Sequence, residues 1–472
     1  MTANLITGGR LLLLRPGLVL MTGDDAASGD SGSGGSGSGG SSGLANIALF
    51  GHGQSNSVYA NDQDGALLAM AQAVSSYLGA TGTAAKYSGA SDVGGAGVYA
   101  GVSGWGTFLT YTANTVQAAQ AAAYNTNGTG MLAMIAALSD AEKTQTLGGI
   151  VYWGETDSAL TAFSGSGGLG YADKPVYKAA LLNDFGQIRA AFGKSAAQMP
   201  LGLFGPPYGT AAGSAMVREA WVELAADAAN NIVWAVPQTY DSVTRGNSWD
   251  SATGVETSVA ASPGHRDAAD NVAFYRRGAL AMARAILASN GLSAALLPTS
   301  LGVGTGPRIV GATLSGATVV ITIAHDGGTD LVVPSLSAPN GTDAPLPAQG
   351  VGFSVMDGGS ITSPGSIIQA ISCVRADATH LHLTLASAPT HAAASCRLFY
   401  PWPGEYWTDQ PLNEIGRGCA ITDNFGTIAL SAEYDLNQIL GAGWRVNMPL
   451  GSPVTVTGSG SSAAATFGIS LS

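Results

Sequence analysis

The chain has 472 residues, of which 46% are hydrophobic and only 11% charged, so most of it is expected to fold rather than remain disordered. Its net charge is −12, and an acidic surface repels phosphate backbones, which argues against a nucleic-acid partner. The 67 glycines imply many tight turns, and no stretch is long and apolar enough to cross a membrane.

Residues 1–22 carry an apolar run, Leu11 to Leu14 and Leu18 to Met21, interrupted by Arg15, Pro16 and Gly17. This reads better as strand, Arg-Pro-Gly turn and strand than as the core of a secretion signal, and so as a small β segment that docks onto something else. Residues 23–43 are nearly all Gly, Ser, Asp and Ala, which cannot bury enough apolar surface to order themselves. They read as a linker tethering the segment to the remainder.

From Leu44 strands and helices alternate. Ile47–Phe50, Ile150–Trp153, Leu201–Phe204 and Ile232–Val236 are short apolar strands. Helical spacing marks residues 66–79, 112–124, 130–142, 175–192, 215–228 and 268–288. Such alternation predicts an α/β fold, a parallel sheet covered by helices on both faces, with sites at the carboxyl ends of its strands. After Pro298 the character changes. Val319–Ile323, Ile367–Val374, His380–Leu385 and Ser395–Phe399 are β-rich runs punctuated by Gly, Pro, Asp and Ser, predicting an all-β, sandwich-like module over 298–430. Residues 431–472 read as a β or irregular extension. Cys373, Cys396 and Cys419 contain no C-x-x-C spacing; Cys373 and Cys396 are read either as one disulfide or as two buried thiols.

Ser55 lies in Gly51-His52-Gly53-Gln54-Ser55-Asn56-Ser57, one turn beyond a buried strand. Glycines there let the chain turn sharply and present the Ser55 hydroxyl and its own N–H at the same spot, as an acyl-transfer nucleophile requires. A serine that merely caps the next helix has the same local signature. Of six histidines, only His52 and His265 fall in the strand–helix region. His52 shares the turn of Ser55 and is poorly placed to approach it, whereas His265 sits in a Pro-Gly-His loop before the last helix and can fold back over the strand ends as a base. Glu155 and Asp157 follow the second strand in Trp153-Gly154-Glu155-Thr156-Asp157, where a carboxylate can orient an imidazole or hold a substrate hydroxyl; helix capping competes for Asp157.

Together Gly53-Gln54-Ser55-Asn56, Gly154-Glu155-Thr156-Asp157 and the late His265 resemble the SGNH hydrolase superfamily. The nearest branch is the sialate O-acetylesterase and acetylxylan esterase group (carbohydrate esterase family six). The resemblance covers about residues 45–290, within the 44–297 domain. It implies a flavodoxin-like three-layer fold and a cofactor-free serine esterase removing O-acetyl groups from a carbohydrate. Ser55 would attack, His265 would be the base, and the Ser55 N–H with Gly101 (Gly104 being nearly as good a match) would form the oxyanion hole. Gln54, Asn56 and Asp157 would line the site. Two positions depart from the pattern. Ser262 stands where most relatives have the aspartate of Asp-x-x-His, which passes the orienting role to Glu155, with Asp267 or a backbone carbonyl as alternatives. Trp153 replaces a usual glutamine.

The implied partner is an acetylated glycan. The tethered N-terminal segment and the Gly/Ala/Ser/Thr-rich composition resemble phage tail or head-spike proteins, implying a particle scaffold as a second partner and an extracellular or virion-associated setting. The same features fit a virion or surface glycan-binding protein with a weak or inactive esterase-like domain. A homo-oligomer stays open. The aromatics Trp105, Trp249, Tyr400, Trp402, Tyr406 and Trp407 can stack on sugars or fill cores, and the β module can bind glycan, contact a partner or buttress the first domain. His380 and His382 alternate on one strand with no Cys or His nearby to complete a metal site.

Overall fold

The computed structural model describes residues 5–7, 10–12, 47–53, 55–80, 132, 135–152, 174–204, 213–236, 240–243, 245–246, 248–250, 255–257, 265–297, 299–334, 347–360, 363–401, 420–425 and 448–472. The chain divides into two compact units, Met1–Ser38 and Gly39–Ser472. In the first, β1 (Leu5–Thr7) and β2 (Arg10–Leu12) pair antiparallel with Thr7 opposite Arg10. The expected Arg15-Pro16-Gly17 turn lies outside the described residues.

The second unit opens with β3 (Ala48–Gly53), α1 (Ser55–Val58), a single π turn over Tyr59–Gln63, and α2 (Ala66–Tyr77). Then come α3 (Asp140–Gln145), β4 (Thr146–Tyr152), α4 (Lys174–Ala191), β5 (Leu201–Phe204), α5 (Gly213–Ala226) and β6 (Ile232–Val236). A short antiparallel pair, β7 (Ser248–Asp250) and β8 (Val255–Thr257), precedes α6 (Ala268–Arg277) and α7 (Ala279–Ser289). The single helix expected over 268–288 is interrupted at Gly278. The helix expected near 112–124 lies outside the described residues.

Strands β3, β4, β5 and β6 form a parallel sheet in that order. Its side chains alternate between two cores, as a strand buried on both faces requires. Ile47, Leu49, Ile150, Tyr152 and Phe204 pack with α2, α6 and α7 on one face. Phe50, Val151, Leu201 and Leu203 pack with α4 and α5 on the other. This is an α/β arrangement with helices on both sides of a parallel sheet.

The remaining strands are antiparallel: β9 (Arg308–Ser315), β10 (Thr318–Ala324), β11 (Leu331–Val332), β12 (Ser354–Ser360), β13 (Ser363–Arg375), β14 (His380–Leu385), β15 (Cys396–Phe399), β16 (Thr422–Asp423), β17 (Val454–Thr457), β18 (Ala464–Phe467) and β19 (Ile469–Ser470). Instead of two separate sheets, seven of them make one ladder in the order β19-β15-β12-β13-β14-β10-β9. The cause is β13, 13 residues long, which pairs with β12 through its first half and with β14 through its second. A register shift between Ala370 and Ser372 separates the two halves, and such bulges bend a strand. The chain end ties the ladder's two edges together. β19 pairs with β15, while Ser472 N–H donates to Ala312 O (3.1 Å) and Leu314 N–H donates to Ser472 O (3.0 Å) on β9. Leu471 is buried in the common core.

Cys373 and Cys396 are both free and buried. Burial pushes the Cys373 thiol up to about 12, so it stays protonated at neutral pH. His382 is exposed and His380 half-buried, and His380 Nδ1 lies 2.9 Å from the Asp377 carboxylate. Tyr400 is a core residue: it stacks on Phe353 at 4.2 Å and is not available to a sugar.

One buried carboxylate in this module opposes folding at neutral pH. Asp423 is wholly buried; its Oδ1 accepts from Phe425 N–H at 3.1 Å, and among the described residues its Oδ2 has no hydrogen-bond partner. Burial, reinforced by the nearby Asp326 charge, pushes its carboxyl up to about 6. The folded state therefore holds a proton that the unfolded state releases at lower pH. Stability falls as pH rises from about 4 to about 6, and the loss is complete above that window. Asp423→Asn keeps the acceptor for Phe425 and removes the titration. It is expected to be more stable than wild type at pH 7–8 by on the order of 2 kcal/mol, with the difference vanishing near pH 4. Thermal melts across this range provide the check.

Candidate active site

The carboxyl ends of β3 and β4 lie side by side, with Gly53 opposite Tyr152. The approach is close enough to demand glycine. A Cβ at Gly53 would sit 1.9 Å from Tyr152 O and 2.6 Å from Ser57 Cβ. A Cβ at Gly51 would meet Asn61 Nδ2 at 2.4 Å. The two glycines of Gly51-His52-Gly53 thus let the chain fold straight back over the strand, and Ser55 opens α1 at this point. His52 points to the other side of the sheet, buried, with its Nε2 3.3 Å from Asp184 Oδ2 on α4.

The serine-bearing turn is fastened to the segment carrying His265 at four places. Asn56 Oδ1 accepts from the Arg266 N–H at 3.3 Å. The Tyr59 and His265 rings meet edge to face with centroids 4.9 Å apart. Farther along, the Tyr275 hydroxyl of α6 donates to Asn61 Oδ1 at 2.7 Å, and Asn61 Nδ2 donates to Ser57 Oγ at 2.7 Å. Finally, Asp64 binds Arg245 through two bonds of 2.7 and 3.1 Å and accepts from Asn271 Nδ2 at 2.9 Å. The residue after Ser55 is thus bonded to the residue after His265, although the pair is 210 positions apart in the chain.

The His265 loop is also held from its other side. Arg245 N–H donates to His265 O (2.8 Å) and Asp267 N–H to Val243 O (3.0 Å), so Val243 and Arg245 lie alongside 265–267. Val243 N–H donates to Asp270 Oδ2 at 2.8 Å. Asp267 caps α6, its Oδ1 accepting from Ala269 N–H at 3.0 Å. Arg266 is buried, its guanidinium 5.7 Å from the Tyr152 ring centre and 5.1 Å from that of Phe274. At the start of this segment, Tyr240 belongs to the core of the antiparallel module. Its hydroxyl donates to Leu450 O and lies 3.4 Å from that of Tyr400.

Of the residues expected in the site, the backbone of Ser55, the side chain of Asn56 and the ring of His265 are brought into one neighbourhood. Gln54, Gly101, Glu155 and Asp157 lie outside the described residues, as do Trp153 and Ser262. Sequence reading missed Tyr59, Asp64, Arg245 and Arg266. A faint signal existed for two of them: in a chain with 11% charged residues, Asp64 follows the serine motif closely and Arg245 precedes the histidine loop. Among the described residues, no three His, Cys, Asp or Glu side chains converge as metal ligands, and no helix is long and apolar enough to cross a membrane.

Fold and site define an α/β protein in which a serine-bearing turn at the end of a parallel strand lies against a histidine loop, followed by an antiparallel β module. No protein-family model and no curated protein matches the chain. Among solved structures it is similar to the crystal structure of a carbohydrate acetylesterase from Xanthomonas citri, with 16% identity and a TM-score of 0.32. The similarity covers 59% of this chain and 50% of that one, so the chain spans about half the length of that enzyme.

Proposed function

We propose that the chain is a serine esterase of the SGNH type that removes O-acetyl groups from a carbohydrate. The observation that carries this reading is the bond between Asn56 and Arg266 together with the Tyr59–His265 ring contact. Each links the immediate neighbourhood of Ser55 to that of His265. In the proposed reaction the Ser55 hydroxyl attacks the ester carbonyl while His265 accepts its proton. His265 then returns that proton to the departing sugar hydroxyl, and water hydrolyses the acetyl-serine with the same base. The Ser55 N–H and Gly101 are assigned to the oxyanion, Glu155 to orienting His265, and Gln54, Asn56 and Asp157 to the walls of the site. The reaction assigned here needs no cofactor.

The test is release of acetate from p-nitrophenyl acetate and from an O-acetylated polysaccharide by wild type and Ser55→Ala. Wild type is expected to turn over and the variant to fall to background. Equal rates would overturn the assignment. A second observation supports attachment to a particle: the N-terminal hairpin lies in a compact unit of its own ahead of Gly39, as a docking segment would.

A further inference from the structure

Resting on that esterase reading, we propose that the Asp64–Arg245 ion pair is a positioning element that sets the His265 imidazole against the serine turn. Each partner belongs to a different half of the site. Asp64 lies nine residues after Ser55, just past α1 and the π turn that follow it, and Arg245 lies on the segment running alongside the histidine loop.

Arg245 makes four contacts at once, and all of them converge on this junction. Its backbone N–H donates to His265 O at 2.8 Å. Its guanidinium grips both oxygens of Asp64, donates to Arg266 O at 3.1 Å, and lies 4.1 Å from the centre of the Tyr59 ring. Tyr59 thus has the guanidinium over its face and the His265 ring against it. A planar fork that binds a carboxylate with two parallel bonds fixes orientation as well as distance, which a single point charge does not. The pair is not surface decoration, because the Asp64 side chain is only 3% exposed and that of Arg245 20%. The hydrogen bond from the Asp64 carboxylate also raises the basicity of the guanidinium. Nothing in this arrangement needs Arg245 to touch substrate. It acts through Tyr59 and the carbonyls of His265 and Arg266.

The experiment uses the full chain, with Arg245→Met, Arg245→Lys and Asp64→Asn compared with wild type in steady-state hydrolysis of p-nitrophenyl acetate, alongside thermal melting. A loosely held base costs turnover rather than binding. Arg245→Met is therefore expected to lower kcat by about 10- to 100-fold while KM stays within about threefold. Arg245→Lys, which keeps a charge opposite Asp64, is expected to recover about a tenfold part of that loss, and Asp64→Asn to fall in the same direction as Arg245→Met. Labelling of Ser55 by a serine-directed organophosphorus ester should slow in parallel with kcat. Folded variants that keep kcat within about twofold of wild type, or that lose KM while kcat holds, overturn the proposal. If Arg245→Met does not fold, the Lys and Asn variants decide alone. If Ser55→Ala retains the wild-type rate, the esterase reading fails and this proposal falls with it. If Ser55→Ala is inactive while the Arg245 and Asp64 variants behave as wild type, only the positioning role fails.

Discussion

His265→Ala is expected to reduce the turnover of acetyl esters by about 10⁴- to 10⁶-fold in a protein that remains folded. The loss has two parts. In the proposed reaction, loss of the imidazole leaves Ser55 with no acceptor for its proton as it attacks and the leaving sugar oxygen with no donor as it departs. His265 is half-buried in a loop whose backbone is held through its own carbonyl and the N–H of Arg266, and neither contact involves the imidazole. Removing the ring gives up its edge contact with Tyr59 and leaves those two backbone bonds in place. If Ser55 and His265 act as a unit, as proposed, the double variant Ser55→Ala/His265→Ala is expected to be no slower than the worse single variant. Additive losses would show that the two residues do not work on one proton. The measurement is steady-state hydrolysis of p-nitrophenyl acetate for the four proteins, with circular dichroism confirming that each is folded.

Arg277→Met is expected to destabilise the protein by about 3–5 kcal/mol, the largest effect on stability foreseen for a single side chain here. Arg277 on α6 donates to both oxygens of Asp241 at 2.8 and 2.6 Å, and the two side chains are only 10% and 6% exposed. Burial depresses the basicity of this guanidinium, but the Asp241 charge more than offsets it, and the net direction is upward. Cutting one partner leaves a carboxylate without its cation in a place that water hardly reaches. Replacing both, as in Asp241→Asn/Arg277→Met, removes that uncompensated charge and should recover most of the loss. A denaturant titration of the two single variants and the double variant measures the coupling. A loss below about 1 kcal/mol in Arg277→Met would show that the pair behaves like an exposed one. The consequence reaches the site, because Asp241 lies between Tyr240 in the antiparallel core and Val243, whose N–H and carbonyl hold Asp270 and Asp267 beside His265.

That route from the β module to the histidine loop bears on what the module does. Of the three roles open to it in the sequence, the contacts of Tyr240 support buttressing: its ring is anchored among Tyr400, Ile421 and Leu450, and its chain continues directly into the segment that flanks His265. The second tie is made by α5, where Glu223 accepts from Ala465 N–H at 3.0 Å and the Arg218 guanidinium lies 4.8 Å from the centre of the Phe467 ring.

The amino-acid sequence by itself determined what depends on neighbours a few positions away. Strands β4, β5 and β6 and helices α2, α4 and α5 fall within a few residues of their expected places, because apolar periodicity and turn residues are local signals. Ser55 just after the Gly51-His52-Gly53 run at a strand end and the late His265 were legible as candidates for the same reason. What only the tertiary structure decided depends on which distant segments meet. The Asp64–Arg245 pair spans 181 positions, and the tie from Ser472 to Ala312 that joins the ladder's edges spans 160. A charge or a terminal serine carries no mark of its partner in the flanking residues. Its role exists only once the chain has closed around the parallel sheet and the β ladder, where burial turns an unpaired group into a cost and so selects the contact.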